Sequence, residues 1–263
     1  MMKQMITVVI LVILAGCVTN LSPTGRSQTL LFSAQQMDQM GAESFEQMKQ
    51  QQALSKDKQR IAYVRCVASR ITAVLPAGQP KWEVVLFESE QINAFALPGG
   101  HIGVYTGLLK VTTNQDQLAT VIGHEVAHVL ANHSNEQVSR AQVTGVGMQL
   151  ANAALDVSGV GNRELYMAAL GLGAQVGFVL PYGREQESEA DIMGVELMAR
   201  AGFDPSQSIK LWQNMAKAGG SQGPELLSTH PSHGRRIADL QQMQPKVMPL
   251  YQASQAKVKN SCD

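Results

Sequence analysis

The chain has 263 residues, enough for one large domain or two small ones with a real core. Lysine plus arginine and aspartate plus glutamate stand at 21 each, so the net charge is zero. No basic excess is present to hold nucleic acid or an anionic membrane surface, and nucleic acid is not an expected partner.

Lys3 and the apolar run Ile6 to Ala15 open the chain, a run too short to span a bilayer as a stable helix. Leu14-Ala15-Gly16-Cys17 follows and resembles the lipobox of bacterial lipoproteins. That resemblance implies a signal peptide over residues 1–16 and lipidation of Cys17, which becomes the first mature residue. Val18, where an aspartate would retain such a lipoprotein in the inner membrane, implies sorting to the outer membrane. Residues 17–34, rich in Ser, Thr, Pro and Gly, read as a tether. Lipidation leaves Cys66 and Cys262 in an oxidising compartment, where they are expected to form a bridge. The other reading is two unpaired thiols, with Cys66 buried as a small apolar residue.

From Ala34 to about Leu54, the phased Met37, Met40, Phe45 and Met48 predict a helix with one packed face. Ile61, Val64, Val67, Ile71 and Val74 predict a second, ended by Pro76, Gly78 and Pro80. Trp82 to Phe87 reads as a strand. Asn93–Leu97 and His101–Tyr105 flank the turn signal Pro98-Gly99-Gly100, and the three segments suggest a small antiparallel sheet. Thr106 or Thr113 can cap the helices that follow, and Thr113 with Asp116 makes a near capping box. The helix from there is expected to reach about Asn132.

That helix carries His124-Glu125-Val126-Ala127-His128. Positions four apart lie on one face, so both imidazoles can ligate a single ion, at about 2.0–2.1 Å for zinc. Glu125 lies about 100° round from His124 and about 60° from His128, within reach of water at the ion without binding it. Two surface histidines in chance register are the plain alternative. The apolar neighbours Val121, Ile122, Val126, Val129 and Leu130 bury the segment, and buried titratable groups need partners. Ser139 to Leu180 reads as two packed helices around a Gly-rich loop near residues 158–161, or else as a lid.

Two histidines and a water leave tetrahedral zinc one protein ligand short. Glu187 and Asp191 are four apart on a helical stretch reaching Ala201, so one can bind metal while the other orients a histidine. Glu185 and Glu189 compete for the ligand role, and spacing alone does not choose. A solvated acidic face balanced by Arg184 and Arg200 is the alternative.

The HExxH of His124 to His128, the ExxxD of Glu187 and Asp191, Thr229-His230-Pro231 and Arg236-Ile237 together resemble one family of zinc endopeptidases. It is the family of HtpX and the CAAX prenyl endopeptidases. With its lipobox the chain resembles the periplasmic lipoprotein branch, of the BepA and LoiP type and nearest LoiP, over roughly residues 60 to 245. The resemblance implies one zinc ion per chain, with Glu187 as third ligand and Asp191 orienting His124. It implies Glu125 as general base and His230 as a gate or transition-state partner. Arg236 matches an arginine near the site, with adjacent Arg235 a competitor. Asn93 and Ala94 match an edge strand that pairs with substrate.

The expectation is an α+β, mostly α, zincin-like metallopeptidase domain over 35–245, followed by a tail over 246–263. A chain ending at residue 263 has no room there for the repeat domain of BepA, so a BepA-like docking role is not expected. The expected activity is endoproteolysis of unfolded or misassembled envelope proteins at the periplasmic face of the outer membrane. The competing expectation is a non-catalytic or latent chaperone-like assembly factor.

Overall fold

The computed structural model describes residues 19–158, 182–218, 226, 230, 235–255 and 261–262. Residues 1–18, with the expected leader and Cys17, and residues 159–181 of the Gly-rich stretch lie outside the described residues. No helix among those described is long and apolar enough to cross a membrane. They are mostly helical, with seven α-helices and five short strands in two units.

In the smaller unit, part of the segment expected as a tether forms regular structure. β1 (Thr19–Leu21) and β2 (Ser27–Thr29) pair as an antiparallel hairpin. Residues 135–158 of helix α4 (His133–Ser158) belong to the same unit. Arg26 forks onto the buried Glu136, with Nη1 and Nη2 at 2.8 and 2.7 Å from its two carboxylate oxygens. Asn135 donates to the Phe32 carbonyl at 2.7 Å, and Ser139 Oγ accepts from Leu31 N at 2.8 Å. A bidentate pair to a buried carboxylate fixes a segment that composition alone reads as loose.

In the larger unit, α1 (Ala34–Gln51) buries Met37, Gly41 and Phe45 at four-residue spacing, and Met40 is left exposed at the edge of that stripe. α2 (Lys58–Ala73) starts at Asp57, whose carboxylate accepts from Gln59 N and Arg60 N at 3.0 Å each. It buries Val64, Val67, Ala68 and Ile71. The sheet that follows is mixed, not wholly antiparallel. β4 (Ala94–Leu97) and β5 (His101–Tyr105) form the expected antiparallel pair, turning at Gly99 and Gly100, both at φ 87°. β3 (Glu83–Phe87) lies on the other side of β5 and runs parallel to it. The chain reverses twice between β3 and β5, and the hairpin leaves only that edge of β5 open.

α3 (Gln115–Leu130) is the central element, every residue from Gln117 to His128 being buried. Its cap is Asn114, not Thr113: the Asn114 side chain accepts from Gln117 N at 2.9 Å. The Gln117 amide reaches back to accept from Thr113 N at 3.0 Å. α2, β4, α5 (Arg184–Arg200) and α6 (Gln207–Ala218) all pack on α3, and α7 (Arg236–Gln255) packs on α5.

The boundary expected at 245 falls inside α7, which runs through Pro245 and Pro249. Leu240, Val247 and Ser254, seven apart, keep one face of α7 buried, and that packing offsets the backbone donors lost at the prolines. Cys66 on α2 is bonded to Cys262, whose backbone N donates to Gln115 Oε1 at 2.9 Å. The bridge ties the C-terminal end of the chain to α2 and to the start of α3.

Candidate metal centre

Two glycines set the distance between the helices that carry the site. A Cβ on Gly123 would lie 2.8 Å from Gly194 O, and one on Gly194 would lie 2.8 Å from His124 N. α3 and α5 therefore cross with their backbones in contact. His124 follows the crossing directly on α3. Asp191 and Glu187 lie one and two turns before it on α5.

There His124, His128, Glu187 and His230 each present a ligand atom, all within 4.8 Å of one another, and all four residues are buried. His124 Nε2 and His128 Nε2 are 3.0 Å apart. Glu187 Oε2 is 3.4 Å from the first and Oε1 3.4 Å from the second. Ligand atoms about 2.0–2.1 Å from a tetrahedral zinc stand roughly 3.3 Å apart, so this trio fits such an ion. Glu187 Oε2 is buried without a well-formed hydrogen bond among the described residues, with Arg236 Nη1 at 3.2 Å and His124 Nε2 at 3.4 Å, a setting that suits a cation's ligand. His230 Nδ1 lies 2.9 Å from Glu187 Oε1, so His230 enters the same cluster. Glu125, also buried, lies with its Oε1 3.5 Å from His230 Nε2 and without a hydrogen bond among the described residues.

Choices left open by spacing are resolved by position. Glu187 faces both histidines, whereas Glu185 is exposed and Glu189 Oε2 lies 3.1 Å from His133 Nε2. Asp191 Oδ1 is 3.0 Å from His124 Nδ1. Arg236 is buried and Arg235 exposed. Arg236 Nη2 donates to Asp191 at 2.7 Å, and its Nη1 stands 3.2 Å from Glu187. Its guanidinium lies 3.5 Å above the Trp212 ring. Asn93 and Ala94 are not in this cluster; they lie at the start of edge strand β4, against which α3 packs.

Four neighbours were not anticipated: His133, Glu189 in its pairing with His133, Tyr182 and Trp212. Tyr182 stacks on His128 with ring centroids 4.0 Å apart. Asn132, at φ 55°, turns the chain between α3 and α4 and brings His133 back to His128. A histidine five residues beyond HExxH was the only local signal, and its partner lies on another helix.

Charge in the cluster follows from burial and proximity. Burial and the Arg236 charge favour neutral His124, but Glu187 and Asp191 outweigh them and raise its pKa to about 9. Burial pushes His128 well below its usual value and raises Glu125 above the ordinary carboxylate range. Burial opposes the charge on Glu187, yet His124 and the other two histidines around it hold its carboxyl far below that range.

In the metal-free chain His124 thus carries a proton up to about pH 9 that a metal must displace. Apparent zinc affinity is expected to rise roughly tenfold per pH unit and to level off above that value, with one proton released from His124 per ion. Calorimetric zinc titrations in buffers of different ionisation enthalpy measure the proton directly, and a heat independent of buffer would contradict it.

A family model described as "Peptidase family M48" matches residues 58–244. The mitochondrial metalloendopeptidase OMA1 of Schizosaccharomyces pombe is 38% identical over 194 residues, covering 73% of this chain and 55% of that protein. The mitochondrial metalloendopeptidase OMA1 of Homo sapiens is 31% identical over 240 residues, covering 86% and 46%. The beta-barrel assembly-enhancing protease of Yersinia pestis is 30% identical over 239 residues, covering 88% and 48%. The chain spans about half the length of the curated relatives it matches.

Proposed function

The chain belongs to peptidase family M48, and from that premise we propose that it is a zinc-dependent endopeptidase acting on unfolded or misassembled envelope proteins. The observation that carries the reading is the convergence of His124, His128 and Glu187 with the buried carboxylate of Glu125 beside them. A zinc ion held by those three residues supplies Lewis-acid chemistry at a carbonyl and acidifies water. Glu125 takes the proton from the attacking water and passes it to the leaving amine nitrogen. Asp191 holds His124 by its Nδ1, and Arg236 holds Asp191.

Strand β4 supports an extended substrate. Tyr105 N donates to Asn93 O, so by alternation the backbone groups of Ala94 and Ala96 point away from β5. The Asn93 side chain accepts from Ala94 N at 2.9 Å. A substrate strand added at this edge has to be unfolded, which favours misassembled proteins over compact ones. Ala96→Pro removes the outward N–H and is expected to raise KM for casein by roughly three- to tenfold at unchanged zinc content. An unchanged KM would count against strand addition.

The LoiP-type branch and a site of action at the periplasmic face of the outer membrane rest on the lipobox ending at Cys17. Labelled fatty acid should enter the wild type and not Cys17→Ser. Incorporation in both, or in neither, rejects the anchor. Among the relatives, two are named beta-barrel assembly-enhancing protease, which accords with an envelope role. The second reading, a latent or non-catalytic assembly factor, is favoured by His230, which stands 2.9 Å from Glu187 and can occupy the position water needs. His230→Ala separates the two, because a latent protease gains activity and a pure binder does not.

A further inference from the structure

We propose that His133 and Glu189 form a positioning relay that fixes the ring and the tautomer of His128. The inference rests on the reading of His124, His128 and Glu187 as metal ligands.

His128 directs Nε2 at His124 and Glu187, which leaves its Nδ1 facing the other way. There His133 Nδ1 lies 2.8 Å from His128 Nδ1. Two ring nitrogens at that separation attract only if one carries a hydrogen and the other does not. The far nitrogen of His133, Nε2, lies 3.1 Å from Glu189 Oε2. An ionised carboxylate only accepts, so the His133 hydrogen belongs on Nε2 and its Nδ1 is bare. His128 must then donate from Nδ1, and its Nε2 lone pair points into the cluster. With His133 neutral and Glu189 ionised, these contacts place the protons in the arrangement that metal ligation requires.

The two ligating histidines are thereby matched. Asp191 accepts from His124 directly, while Glu189 acts on His128 through an intervening imidazole. Carboxylates behind ligating histidines set orientation and basicity. His133 is fully buried and Glu189 nearly so. If His133 only filled the corner between α3 and α4, an apolar side chain would serve without the cost of burying a carboxylate. Tyr182, stacked on His128, restrains the same ring from its face.

The test uses the full chain and zinc competed against a chromophoric chelator, for wild type, His133→Leu, His133→Asn and Glu189→Gln. The Leu variant keeps bulk and removes the acceptor, so its zinc affinity should fall by about 10- to 100-fold. Asn presents Oδ1 near the position of Nδ1 and should restore affinity to within about threefold, as should Glu189→Gln, whose amide oxygen still accepts. Histidine-selective nitrogen NMR of the zinc-loaded wild type should show His133 protonated at Nε2 only, and it needs no variant to fold. Wild-type affinity in His133→Leu, equal losses in the Leu and Asn variants, or a proton on His133 Nδ1 would each overturn the relay. A wild type that binds no zinc would instead refute the ligand assignment beneath it.

Discussion

Glu125→Gln is expected to lower peptide-bond hydrolysis by roughly a hundredfold to ten-thousandfold while leaving bound zinc unchanged. Glu125 sits beside His124 on α3 but is not among the converging ligand atoms, so an isosteric amide does not dismantle the cluster. What it removes is proton acceptance. The Glu125 carboxylate is buried, its Oε1 has no hydrogen bond among the described residues, and burial raises its pKa above the ordinary carboxylate range. Those are the conditions of a general base poised to take a proton and give it back. Cleavage rates and metal analysis on the same preparations decide the point. Loss of metal together with activity would mean that Glu125 holds the cluster, and full activity would remove it from the chemistry.

The second large effect is expected at a residue that touches no substrate. Gly194→Val should destabilise the larger unit by about 3 kcal/mol or more and weaken zinc binding at least about tenfold. A Cβ there would meet His124 N at 2.8 Å, His124 Cα at 2.9 Å and Gly123 C at 3.0 Å. All three are backbone atoms, so no rotamer change relieves the overlap and α3 and α5 must separate. Glu187, two turns along α5, would move away from the histidines. Gly145 in α4 is the control: among the described residues nothing beyond its own helix backbone lies within 4 Å of its Cβ position, and Gly145→Ala should be neutral or slightly stabilising. Urea unfolding of the metal-free proteins and zinc competition measure both effects. Wild-type values for Gly194→Val would show that the crossing is not what sets the site.

The parts of this site that were legible in the sequence are those that repeat along one helix. Spacing alone aligned His124 with His128 and paired Glu187 with Asp191. It could not choose among Glu185, Glu187 and Glu189, because that choice depends on how α5 is rotated against α3 at the Gly123–Gly194 crossing. The resemblance to known endopeptidases named Glu187 and Arg236, and both lie in the cluster. Trp212 beneath Arg236 and His133 behind His128 are joined to the site only by packing between elements, so no local pattern announced them.

In the fold, the same division holds. The buried stripe of α2 and the turn at Gly99–Gly100 follow from local chemistry. The β1–β2 hairpin was read as a tether because the Glu136 that fixes Arg26 lies 110 residues away. The parallel pairing of β3 with β5 depends on which edge the hairpin leaves open. Local propensity also misplaced the cap of α3 by one residue, since the Asn114 side chain takes that place.

The central claim is that His124, His128 and Glu187 hold one zinc ion and that cleavage depends on it. The direct measurement is casein cleavage by the purified protein with metal quantified, before chelation, after it and after zinc is returned. About one zinc per chain, activity lost on chelation and regained with zinc, is the result this account predicts. Cleavage that persists in metal-free protein, or in Glu187→Ala, would contradict it.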